Sequence, residues 1–155
     1  MYAGQAAVMS QMMYEAGRNG NERQARNRYD TLRLQARLGQ LWARLRRQEN
    51  HPLSLAGVHP AAARYSGVRT VRLAQIRGSE GRCADLDARF RPLHGATRER
   101  WLRVADAHQK GIGLPPVALV QVGDTHYVRD GHHRVSVALA WGLESIEAEV
   151  VVWEG

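Results

Sequence analysis

The stretch from Val117 to Gly142 constrains the fold more than any other part of the chain. Val117-Ala118-Leu119-Val120-Gln121-Val122 is β-branched and apolar, Gly123-Asp124 is a turn pair, and Thr125-His126-Tyr127-Val128-Arg129 resumes strand-like composition. Two strands joined by so short a loop pair as an antiparallel hairpin. Asp130-Gly131-His132-His133-Arg134 follows, and Val135, Ala138, Leu139 and Gly142 then recur at i, i+3, i+4 and i+7, with the glycine where a helix usually stops. The pentapeptide is therefore a strand-to-helix turn.

Three features of that turn favour an anion. Gly131 lets a backbone pass close to a ligand, the first helical turn offers unpaired amides, and Arg134 adds a permanent cation with a planar fork of donors. A helix N-terminus is worth about 0.3–1 kcal/mol to an exposed anion and up to about 2 to a partly buried one. Bonds from a charged donor add about 1.5–3 kcal/mol each, whereas a micromolar ligand needs about 8. The rest has to come from a base or sugar pocket, which favours a nucleotide over free phosphate.

Gly131-His132-His133-Arg134 resembles the helix-opening signature shared by the ParB N-terminal domain and sulfiredoxin, and the resemblance covers residues 68 to 152. The order of elements fits as well: a strand at Val68 to Leu73, a polar loop, a helix from Arg98 to Lys110, the hairpin, the motif helix, and a closing strand at Ile146 to Val152. The resemblance implies a small mixed-sheet α/β (α+β) domain of the ParB/sulfiredoxin type. It also implies a nucleotide, ATP, ADP or CTP, with its phosphates at Gly131, His132, His133 and Arg134, and with Mg²⁺. Sulfiredoxin chemistry needs a thiolate where this chain has His132, so a sulfinic acid reductase is not expected. A partition protein continues into a helix-turn-helix domain, whereas this sequence ends at Gly155 just past the closing strand, and a complete partition protein is not expected either. Free-serine kinases have a turn like Asp130 to Arg134, which implies small-molecule phosphoryl transfer beside nucleotide hydrolysis. The alternative is a noncatalytic, DNA-associated, partition-like adaptor switched by nucleotide.

Length and charge divide the chain. At 155 residues it is about one compact unit. Residues 1–50 hold nine Arg against four acids, while residues 68–155 hold twelve Arg and Lys against eleven, so the nucleotide-like part is nearly neutral. Any polyanion surface belongs to the amino-terminal arm. The single cysteine, Cys83, excludes an internal disulfide framework, and no apolar run approaches a membrane span or a leader, so a soluble cytoplasmic protein is expected.

The sequence thus divides into a basic amphipathic helical extension (1–50), a linker rich in Pro, Gly and small residues (51–67), and the ParB/sulfiredoxin-like domain (68–153). The arm reads as a helix from about Asn21 to Glu49, since it lacks proline and is rich in Arg, Gln, Leu and Ala. On a helical wheel Leu34, Leu38, Leu41, Trp42 and Leu45 share one stripe and Arg26, Arg33, Arg37 and Arg44 a neighbouring one. The leucines are expected to dock on the domain or pair with a second copy; the arginines are either solvated or meet DNA.

A second candidate element is the loop Arg77-Gly78-Ser79-Glu80-Gly81-Arg82. Ser79 and Arg82 suit phosphate contacts, and Glu80 suits a metal or a proton from a substrate hydroxyl. Asp85 and Asp87 read as solvated acids. Thr97 reads as a helix cap, and His108 as a packed core histidine. Asp130 has two readings, a cap or an Mg²⁺ ligand that helps orient a nucleophile, and the resemblance implies that His133 contacts a phosphate and that His132 stands nearest the reacting position. His132 and His133 point about 100° apart on a helix and have no Cys or Glu at zinc-ligand spacing, so no protein-built metal centre is expected.

Overall fold

The computed structural model describes residues 3–81 and 84–155. The chain opens with helix α1, Ala3–Leu45, and continues through strands β1, Leu53–Ser54, β2, Ala62–Arg72, and β3, Ile76–Ser79. Helix α2, Arg98–Gln109, precedes the hairpin β4, Val117–Val122, and β5, Thr125–Asp130; helix α3, His132–Ala140, and strand β6, Ser145–Glu154, complete it. This is a mixed α/β fold, as expected. The six strands form one sheet in the order β1-β3-β5-β4-β6-β2. β4 pairs antiparallel with β5 and parallel with β6, and α3 connects β5 to β6 on the other side of β4.

One face of the sheet builds the core. Val117, Leu119, Val128, Ala148 and Val150 pack with Val135 and Ala138 of α3 and with Leu86 and Phe90 from the segment before α2. A second cluster joins the helices: Ala25 and Tyr29 of α1, Trp101 and Ala105 of α2, and Val137 of α3. Trp101 is fully buried, donates its indole N–H to Ser136 Oγ at 3.0 Å, and meets Tyr29 edge-on at 5.3 Å. Tyr29 in turn donates to the His94 carbonyl at 2.9 Å. His108 packs edge-on against Trp141, as a core histidine should.

Several local expectations are corrected. Helix α1 starts at Ala3, not near Asn21, and it docks through Ala25, Tyr29 and Ala36. Leu34, Leu38, Leu41, Trp42 and Leu45 lie on the opposite side of the wheel and remain 49–69% exposed, so the leucine stripe is not what seats the arm. Residues 51–67, expected to be a linker, supply β1 and the first half of β2, and Gly67 sits at a bulge within β2 with φ of 82°. Arg77, Gly78 and Ser79, expected in a loop, belong to β3, which pairs parallel with β5. Gly78 is required there. A Cβ at that position would lie 2.2 Å from the Tyr127 ring and 2.6 Å from the Leu53 carbonyl.

Asp87 is not solvated either; its carboxylate is fully buried. One oxygen accepts the amides of Arg89 and Arg91 at 3.0 and 2.9 Å, and the other accepts Arg91 Nε at 2.7 Å. Thr97 does not cap α2: a 3₁₀ turn, Gly95–Thr97, precedes the helix, and the Thr97 hydroxyl bonds back to the His94 carbonyl. No helix among the described residues is long and apolar enough to cross a membrane.

Candidate functional site

The core positions the strand-to-helix turn. Val117 and Val128 are buried in the two hairpin strands, Val135 anchors the first turn of α3 against them, and Gly131 is the hinge between. Its φ of 97° and ψ of 27° are left-handed, and a Cβ there would lie 2.7 Å from Val117 Cγ1. The first α-helical bond of α3 runs from the Val135 amide to the Gly131 carbonyl. The amides of His132, His133 and Arg134 therefore have no intrahelical acceptor. No side chain caps this helix, and its first turn contains no acid.

Those amides border a cleft of about 460 Å³. Gly131 to Arg134 form one wall, Thr97, Arg100 and Val104 of the α2 side another, and Asp85, Leu86, Arg129 and Asp130 lie around them. Thr97, Arg100 and Val104 are spaced i, i+3, i+7, which puts them on one helical face toward the turn. Arg100 is exposed, and among the described residues no carboxylate pairs with it. The sequence reading passed over this arginine. The signal that could have found it is its spacing, one turn before Val104 on the same helical face.

The candidates chosen from sequence are distributed unevenly around the cleft. His132 and His133 line it. Arg134 borders it, but its guanidinium is turned to the chain, donating to the Pro115 and Pro116 carbonyls and, at 2.8 Å, to Asp130. Arg134 thus clamps the entry of β4 to α3. Asp130 is not a cap. Its exposed carboxylate reaches one turn forward to Arg134 and leaves α3 open. Glu80 is held by Arg129, at 2.5 and 3.0 Å, and does not line the cleft. Arg82 and Cys83 lie outside the described residues.

Ser79 has no exposed surface and lies beneath His132, with Oγ 2.8 Å from His132 Nε2 and 3.4 Å from the Val128 carbonyl. The Val128 carbonyl already accepts the Glu80 amide at 3.0 Å, so the short contact of the serine hydroxyl is with Nε2, and the imidazole tautomer sets which of the two donates. In this geometry Ser79 orients an imidazole and does not face the cleft.

Burial pushes the His132 imidazole below the usual histidine range, and His133 adds to the effect while Asp130 and Asp85 oppose it. Burial likewise lowers His133, reinforced by Arg100 and opposed by Asp85, and His126 is lowered by burial and by Arg69. Three imidazoles are thus harder to protonate folded than unfolded. Below about pH 6.5 the unfolded chain takes up more protons on them, so stability is full above that pH and falls as the folded pKa values are passed on acidification. A urea midpoint that drops between pH 7 and pH 5 is the expected result; one that stays level or rises would contradict the burial of these rings.

No family model matches the sequence, and comparison with curated proteins finds no match. Among solved structures, sulfiredoxin from Arabidopsis thaliana is similar over 57% of this chain and 85% of its own, with 19% identity and a TM-score of 0.40.

Proposed function

We propose that this protein binds a nucleoside di- or triphosphate, ATP, ADP or CTP, in the cleft at the start of α3, and that hydrolysis or phosphoryl transfer follows. The observation that carries this reading is a helix N-terminus with neither cap nor acid, opening on a cleft beside Arg100, a cation with no carboxylate partner among the described residues. The helix end and Arg100 together supply about 2–5 kcal/mol toward an anion. Half-buried Val104 offers apolar surface on which a base or ribose adds to this.

Mg²⁺ fits the donor set in a limited way. The described residues contain no group of three metal-ligating side chains, but Asp85 and Asp130 both border the cleft. Mg²⁺ commonly takes one or two carboxylates and fills its shell from phosphates and water, so these two residues would hold it and it would neutralise phosphate charge. Burial makes the His132 imidazole harder to protonate, and the ring borders the cleft, where it would take a proton from a nucleophile.

Titration calorimetry with ATP, ADP, CTP and GTP plus Mg²⁺ tests the reading. At least one is expected to bind at micromolar concentration, and Arg100→Ala to weaken it roughly tenfold or more. Absence of heat with all four, or an unchanged affinity in Arg100→Ala, removes the site. The alternative is a noncatalytic adaptor, switched by nucleotide, that meets DNA through the stripe Arg26, Arg33, Arg37 and Arg44; Arg33 is half-buried beside Gly95, so the exposed Arg26, Arg37 and Arg44 would make the contact, and this reading predicts the same binding without phosphate release.

A further inference from the structure

We infer that a second cleft, formed where α1 docks, binds a small amphiphilic anion: an apolar body bearing one carboxylate or similar head. The cleft measures about 560 Å³, within the roughly 300–1,000 Å³ typical of small-molecule sites, and shares no lining residue with the cleft at the start of α3. Leu32 of α1, Leu73, Phe90 and Leu139 give it an apolar floor. Arg77, Arg89 and His51 stand exposed at its rim, and no Asp or Glu is among its lining residues.

Charge separates this site from an ordinary packing defect. Arg91, also at the rim, is neutralised by the buried Asp87, whereas among the described residues no carboxylate pairs with Arg77 or Arg89. Two arginines therefore border an apolar floor with no carboxylate among the described residues to balance them. A planar carboxylate matches the guanidinium fork, and an alkyl or aryl body matches the floor. The site gives the docked arm a purpose: Leu32 and Gln35 of α1 are part of its wall.

Octanoate is the probe, titrated calorimetrically into the full chain. One molecule per chain is expected to bind saturably, at least tenfold tighter than 1-octanol, which lacks the charge, or inorganic phosphate, which lacks the tail. Arg77→Ala and Arg89→Ala, both at exposed positions, are each expected to weaken octanoate about tenfold. Leu41→Gln/Leu45→Gln, on the outer face of α1, is expected to leave it unchanged. Absence of saturable binding overturns the inference, as does unchanged affinity in both arginine variants. Loss of binding in the leucine variant would move the site to the outer stripe, and displacement of octanoate by ADP with Mg²⁺ would move it to the start of α3. Either result also overturns the inference and leaves the nucleotide reading to its own test.

Discussion

Replacing Asp87 by alanine is expected to destabilise the protein by about 3–5 kcal/mol and to lower Tm by roughly 6–20 °C. The carboxylate has no exposed surface, and both oxygens are engaged, one by two backbone amides and the other by the Arg91 side chain. Removing it leaves two amides and a guanidinium without acceptors in a setting that is only 17% exposed at Arg91. The damage spreads because the same loop is closed by Asp87 N–H to the Arg91 carbonyl and Leu93 N–H to the Asp85 carbonyl, with Phe90 held at φ of 57° between them. Arg91 also reaches α1, where a Cβ on Gly39 would lie 3.1 Å from its guanidinium. Asp87→Ala, Arg91→Ala and the double variant form a cycle that isolates the pair, with a coupling of about 1–3 kcal/mol expected. A Tm within about 2 °C of the parent for Asp87→Ala would show that the loop is held by packing alone.

The parts of this fold that were legible in sequence are those whose signal is local. The hairpin and α3 follow from β-branched runs, a Gly-Asp turn and a short apolar periodicity, and they occur at the expected residues. What was missed depends on partners distant in the chain. β3 contains Arg, Gly and Ser and shows no alternation; its strand state comes from β1 and β5, and its glycine exists to let the Tyr127 ring pass. The arm misled for a similar reason. A wheel rewards the largest side chains, but close helix packing selected Ala25 and Tyr29, which meet Trp101, together with the buried Ala36, and put the leucine stripe outside. Arg134 and Arg100 exchanged importance in the same way. Which arginine is free depends on where the Pro115 and Pro116 carbonyls lie, and no spacing within the pentapeptide contains that information.

Gly131→Ala is expected to affect stability and the proposed ligand site together, and the two effects separate. An alanine at φ of 97° pays about 1–2 kcal/mol for its left-handed backbone, and its methyl would stand 2.7 Å from Cγ1 of Val117, which is fully buried and closely packed in the hairpin. Forcing that contact costs a further 1–3 kcal/mol or so, for a total of about 2–5. The Val117→Ala/Gly131→Ala double variant removes the collision but keeps the backbone penalty, so it is expected to be less destabilised than the two single changes added together. Simple additivity would mean that the turn relaxes elsewhere. Binding answers a different question, because the amides of His132 to Arg134 are aimed by this same residue. If they contact phosphate, then in temperature and denaturant conditions where Gly131→Ala is still folded, nucleotide affinity falls by more than in Arg100→Ala, since three donors are displaced and not one. An affinity equal to the parent's in folded Gly131→Ala would place the phosphates away from α3 even if a nucleotide binds.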